Sequence, residues 1–556
     1  MNNTKQGAVH LRLLVVSCLA ICLAICLGAA VARADALPPS DAPFELIEAD
    51  LADVQTAFAA GTLTAEALTR AYLERIKTLD RRGPRLNTLI AVNEQAAADA
   101  AALDAERAES GPRGPLHGIP VIIRDNLSTL DLPTTAGAAA LRGHEPLRDA
   151  FVVQRLREAG AVILAKANMS ELTLPLGRFS YSSAAGQSRN PYNLRRAPSS
   201  AADAAALAAN LGMLAVGTDT AGSLRGPAAV SAVVGLKPTL GLTSRSGLLP
   251  TALSIEVTGP LARSVRDAAL LLNVIAAEDP SDPRTADPPD RPADYTAGLA
   301  EATLDGVRLG VARAYGGAHK EVDAAFTAAL DLLRAQGAEL LDVKLPDVVL
   351  DGWELVLERL IETEFRDQVN AYLLHTEQGM PHSLAELLRM SASPLIAGSP
   401  TPTPPGRLDA YRRALRSPGL ADLDYLDILS RRLPAARTAV TALFTEHELD
   451  ALVLPTMLCP ASSLLLDYDE SYHCAADRDP YQPAYLASIA GLPELTLPMG
   501  FTEEGLPLGV SLVGPAFSEA RLLALGHAFE QVAKVRRAPE IPDAPPPVLE
   551  TLPEED

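Results

Sequence analysis

Histidine is absent from residues 145–318, and the whole chain holds only nine. None of the nine falls in a His-Glu-x-x-His or other metal-ligating spacing, so the reading calls for no metal and no cofactor. The phosphate-loop pattern Gly-x-x-x-x-Gly-Lys-[Ser/Thr] is missing. So is Gly-x-Ser-x-Gly, which leaves a Ser-His-Asp hydrolase without support. Positive charge is also short: 48 Lys and Arg stand against 69 Asp and Glu, for a net charge of −21. Nucleic acid and anionic membrane surfaces are therefore poor partners for the bulk protein. Of five cysteines, Cys18, Cys22 and Cys26 sit close to the N-terminus, leaving Cys459 and Cys474. An oxidising compartment would permit a disulfide between those two; two unrelated thiols is the alternative.

What is present begins with a targeting segment. Lys5 and Arg12 precede an uncharged apolar run from Leu13 to Ala30, and Ala32-Arg-Ala34 offers small residues for cleavage. This pattern predicts a secretory signal peptide over 1–34, with an uncleaved N-terminal membrane anchor as the alternative because the run is long. Loss of Lys5, Arg12 and Arg33 takes the net charge from −21 to −24. The expectation is a periplasmic or secreted protein with no membrane contact after cleavage.

Residues 35–45 form a Pro-rich leader, 46–537 a single domain and 538–556 a disordered tail. Apolar residues at helical spacing (Val54, Phe58, Leu68, Tyr72, Ile76) predict two helices separated by Gly61, the second capped by Thr62 or Thr64. Short apolar runs at 119–123, 161–164, 214–216, 307–311, 339–343, 451–454, 494–498 and 508–513 read as buried strands. Helical stretches alternate with them. That alternation predicts an α/β fold, with a large sheet covered by helices on both faces.

The chemistry concentrates in Gly217-Thr-Asp-Thr-Ala-Gly-Ser-Leu-Arg-Gly-Pro-Ala228. Taken alone, such a loop is either a turn packing a helix onto a sheet or a seat for a serine nucleophile with backbone donors for an oxyanion.

Resemblance separates these readings. Gly118-Ile-Pro-Val-Ile-Ile-Arg-Asp-Asn126, Leu164-Ala-Lys-Ala-Asn-Met-Ser-Glu-Leu172, Gly186-Gln-Ser-Arg-Asn-Pro-Tyr192, the Gly217–Thr239 block and Ala490-Gly-Leu-Pro-Glu-Leu-Thr-Leu-Pro-Met-Gly500 occur in order. With them, residues 50 to 535 resemble the amidase signature family of serine hydrolases, and most of all bacterial exported amidases of the peptide-amidase type. The resemblance implies a single α/β/α domain around a mixed sheet and a Ser–Ser–Lys triad. It puts the nucleophile at Ser223 and the bridging serine at Ser199, next to Ser200. Oxyanion donors fall on the amides of Thr220, Ala221, Gly222 and Ser223, and Asp219 and Arg225 brace the loop. The substrate class is a small-molecule amide or peptide amide.

Two departures follow. The lysine position of the family is Arg124. A guanidinium stays protonated, and stripping its proton at neutral pH costs on the order of 7 kcal/mol. Losing one oxyanion donor, for comparison, is worth roughly 3–4 kcal/mol. The glycines that flank the bridging serine in the family are also gone from Arg196-Ala-Pro-Ser-Ser-Ala-Ala-Asp203, and Asp203 adds a carboxylate that Arg124 can pair with. Lys166 and Lys237 belong to family motifs of their own and read as structural. The expectation is an amide hydrolase with impaired machinery. The alternative is an inactive pseudoamidase, with Arg124 at the pocket base receiving an anionic or amide-like ligand.

Overall fold

The computed structural model describes residues 44–173, 179–286, 291–350, 352–464, 478–542 and 548–549. The segment read as a signal peptide lies outside them, as does Cys474; Cys459 is buried and disulfide-bonded. Among the described residues no helix is long and apolar enough to cross a membrane.

Eleven strands form one sheet: β1 (Leu89–Val92), β2 (Pro120–Arg124), β3 (Val162–Ala167), β4 (Leu214–Asp219), β5 (Val234–Lys237), β6 (Val257–Ala262), β7 (Arg308–Val311), β8 (Glu339–Asp342), β9 (Ala451–Pro455), β10 (Glu494–Phe501) and β11 (Pro507–Val513). Their spatial order is β8-β7-β9-β11-β10-β5-β6-β4-β2-β3-β1. The sheet is mixed. β2 runs parallel to β3 and β4, and β7 to β8 and β9, whereas the strands between β4 and β9 pair antiparallel.

Both faces are buried, as the alternation predicts. Side chains point to opposite faces at successive strand positions. Along β9, Ala451 and Val453 join one apolar cluster, while Leu452 and Leu454 join the other. The first cluster takes in the helices Leu51–Ala60, Ala65–Arg75, Val265–Ile275, Lys320–Ala335 and Glu519–Ala533; the second is built around Trp353–Leu373, Leu433–Glu446 and Gln482–Ala490. Each fully buried leucine contributes roughly 1.5–3 kcal/mol, so both layers hold the sheet strongly.

Local chemistry sets the element ends. Asp50 caps Leu51–Ala60 by accepting from the Asp53 amide, Gly61 closes it at φ 71°, and Thr64 caps Ala65–Arg75 through the Ala67 amide. In the tail expected to be disordered, Val548–Leu549 pairs antiparallel with Phe44–Glu45.

Candidate active site

β4 ends at Asp219, and the helix Arg225–Ala229 starts six residues later. The Asp219 carboxylate shapes the loop between them. It accepts from the amides of Gly222 at 2.8 Å and Leu224 at 3.0 Å, and from Arg225 Nε at 2.9 Å and Nη2 at 2.8 Å. Burial alone would raise this carboxyl, but the adjacent Arg225 guanidinium and the amide donors hold it well below the usual range. Arg225 is in turn fixed by Glu494, by the Ala484 carbonyl at 2.6 Å and by Ser488 Oγ at 2.8 Å. Both residues thus brace the loop, as the resemblance implies.

Ser223 rides on this loop half-buried. Gly222, just before it, has φ +105°, a conformation that L side chains rarely adopt. The oxyanion set needs one correction. The Gly222 amide donates to Asp219, so it is not free for a ligand. Among the described residues, the amides of Thr220, Ala221 and Ser223 have no acceptor and remain available.

The bridging position is strained. Ser199 itself has φ +76°, the left-handed region that L side chains rarely adopt, whereas Ala197, Pro198, Ala201 and Ala202, which stand where the flanking glycines are missing, have no positive φ. Its loop is sewn to the end of β3: the Ser170 amide donates to the Ser200 carbonyl at 2.8 Å, and the Ala202 amide to the Asn168 carbonyl at 2.9 Å. Ser200 Oγ reaches the Ser223 carbonyl at 3.3 Å. The Ser199 hydroxyl is hydrogen-bonded to the Tyr481 hydroxyl.

Arg124, the last residue of β2, is 1% exposed. Its Nε lies 2.7 Å and its Nη2 2.6 Å from Asp203 Oδ2, and its Nη1 donates to the Thr218 carbonyl. The pairing with Asp203 is the one the sequence offers. Room for it comes from Gly217, where a Cβ would sit 2.8 Å from both Arg124 Nη2 and Asp203 Oδ2. Arg124 makes no hydrogen bond to Ser199 or Ser223 among the described residues. Arg124 is thus already paired with a buried carboxylate.

The two lysines serve elsewhere. Lys166 Nζ bonds Thr134 Oγ1 at 2.7 Å, Thr129 Oγ1 at 3.2 Å and the Pro133 carbonyl at 3.2 Å, with Asp125 at 3.5 Å. Burial lowers it to about 8 despite Asp125. Lys237 Nζ bonds the carbonyls of Leu492 at 2.9 Å and Pro238 at 3.1 Å, and burial together with Arg225 lowers it to about 7. Glu256, near the Ser223 loop, accepts from the Thr251 amide at 2.8 Å and the Ala252 amide at 3.2 Å. Burial pushes its carboxyl up to about 7.

The comparisons with known proteins give the family. The family model described as Amidase matches residues 67–523. The chain belongs to the amidase signature family. It is 38% identical to the native peptide amidase from Stenotrophomonas maltophilia, with a TM-score of 0.80 over 90% of this chain and 100% of that one. An amidase family protein from Bacillus anthracis is 31% identical, with a TM-score of 0.77 over 89% of this chain and 93% of that one. A glutamyl-tRNA(Gln) amidotransferase component from Roseiflexus castenholzii is 34% identical over 532 residues, covering 89% of this chain and 98% of the relative.

Tyr481, Glu256 and Gly217 are the site residues that sequence reasoning missed. Gly222 and Gly226 carried a signal for the first. Both lack a Cβ where the Tyr481 ring crosses them.

Proposed function

We propose that this amidase-family chain is an exported amide hydrolase that attacks a carboxamide carbon through Ser223, is slowed at neutral pH by the loss of the lysine base, and releases ammonia or an amine from an acyl-enzyme. The carrying observation is the contrast within the site: the Ser223 loop is held around Asp219, while Arg124 is spent on Asp203. In this reading Ser223 Oγ adds to the carbonyl carbon, and the amides of Thr220, Ala221 and Ser223 face the developing oxyanion. Peptide amides are the favoured substrate class, because the Stenotrophomonas relative is a peptide amidase. Export rests on the apolar N-terminal run and is checked by fractionating cells that express the full chain.

The test is labelling by a fluorophosphonate probe in wild type, Ser223→Ala and Arg124→Lys. Slow labelling of the wild type, lost in Ser223→Ala and accelerated in Arg124→Lys, supports the reading. Absence of labelling in the wild type at every pH makes the chain an inactive pseudoamidase that binds an amide-like ligand.

A further inference from the structure

We infer that Tyr481 stands in for the missing lysine as the proton acceptor of Ser199, so that a proton passed from Ser223 to Ser199 ends on Tyr481 and the site works as a Ser–Ser–Tyr relay. The inference rests on the reading of Ser223 as nucleophile given above.

The geometry carries it. Tyr481 immediately precedes the helix Gln482–Ala490 and is 6% exposed. Its hydroxyl is hydrogen-bonded to the Ser199 hydroxyl, the group from which the family's lysine takes a proton. Its ring lies over the glycines on either side of the nucleophile. A Cβ on Gly222 would meet Tyr481 Cδ1 at 2.8 Å, and a Cβ on Gly226 would meet Tyr481 Cε1 at 2.7 Å and Ser199 Oγ at 3.0 Å. Two glycines thus admit the ring, and the ring delivers its oxygen to Ser199. Among the described residues, no lysine, histidine, arginine or carboxylate hydrogen-bonds either Ser199 or Ser223.

The chemistry selects the same group. A phenol gains phenolate about tenfold per pH unit as long as the pH lies below its pKa. A guanidinium at pH 7 is deprotonated at most about once in 10⁵ molecules. Tyrosine is therefore a weak base at neutral pH but the best acceptor in contact with the relay. The proton balance closes. The phenol gives its proton to water, and the phenolate takes one from Ser199. Ser199 takes one from Ser223 as Ser223 Oγ bonds to the carbonyl carbon. On collapse the proton returns through Tyr481 and Ser199 to the amine as the C–N bond breaks, and water repeats the cycle on the acyl-enzyme.

The charged groups around this corner come from four elements. Asp479, on the same segment, accepts from the Tyr481 amide at 3.0 Å. Arg225 on the nucleophile helix is flanked by Asp219 from β4 and Glu494 from β10.

The experiment measures fluorophosphonate labelling of the full chain from pH 6 to 10.5, with circular dichroism at each pH. The expected wild-type rate at pH 9 is about 100-fold that at pH 7, about tenfold per pH unit. Tyr481→Phe keeps the ring packing and should abolish the rise. 3-Fluorotyrosine at position 481, a more acidic phenol, should move the rise to lower pH. If Tyr481→Phe keeps the rise, or fluorotyrosine leaves it in place while labelling still depends on Ser223, the relay is overturned and the serine hydrolase stands. If wild-type labelling does not depend on Ser223 at any pH, the hydrolase reading falls and the relay with it.

Discussion

The Arg124 guanidinium and the Asp203 carboxylate meet at 2.6 Å with 1% and 0% of their side chains exposed. Such a pair is expensive to break from one side, because the partner left behind is a buried charge. Asp203→Asn is therefore expected to lose about 3–5 kcal/mol in urea denaturation at pH 7. Replacing both residues with apolar ones, Arg124→Met with Asp203→Leu, should recover most of that loss. A double variant no more stable than Asp203→Asn would show that the loss comes from packing and not from the stranded charge.

Gly217 makes the pair possible, and that gives a second prediction. A methyl group there would lie 3.1 Å from Arg124 Cζ and closer still to the pair's polar atoms. Overpacking of this kind costs typically about 1–3 kcal/mol. Gly217→Ala should destabilise the wild type by about that much and the Arg124→Lys background by less, since a thinner amine can yield. The coupling is read from a double-mutant cycle of denaturation free energies. Additive costs would mean the methyl group collides with something else.

Asp219 links stability to the loop that carries Ser223. Its folded pKa is depressed, so its contribution is present above the unfolded value near ~4 and is lost as pH falls through the folded value. Asp219→Asn is expected to flatten the acid limb of stability and to cut fluorophosphonate labelling at least tenfold at pH 8, because the Gly222 and Leu224 amides lose their charged acceptor. Labelling that survives unchanged would mean that Arg225 and Glu494 suffice to shape the loop.

Legibility differed by residue for physical reasons. β9 stood out because Ala451-Leu-Val-Leu454 is a continuous apolar run between turn residues, the pattern of a strand buried on both faces. β5 and β6 were hidden: Gly235, Lys237, Gly259 and Pro260 look like turn or surface residues, and only the sheet makes them buried strand positions. Within the site, Ser223, Ser199, Asp219 and Arg225 were readable because their motifs are local. The Arg124–Asp203 pair was readable because opposite charges near one motif invite it. Tyr481 was not, since it reaches Ser199 across 282 residues of chain and no local pattern encodes that approach.

Glu256 gives the last prediction, and its sign is opposite to that of Asp219. Burial raises its folded pKa from an ordinary 4.5 to about 7, although two amides bond to it. Between those values the folded state binds more protons than the unfolded one, so stability falls as pH rises. The contribution is fully present below the unfolded value and gone above the folded one. Over the whole window the change is about 3 kcal/mol at 1.36 kcal/mol per unit. Glu256→Gln carries no proton to lose. Relative to wild type it should gain about that amount between pH 4.5 and pH 8 in urea denaturation. Under the proposed function Thr220 lends an amide to the oxyanion, so the same variant should soften the alkaline dependence of labelling only if Glu256 ionisation moves the loop. A pH-independent stability difference between the two proteins would mean that Glu256 is charged in the fold across this range, with Arg124 as the cation that holds it so.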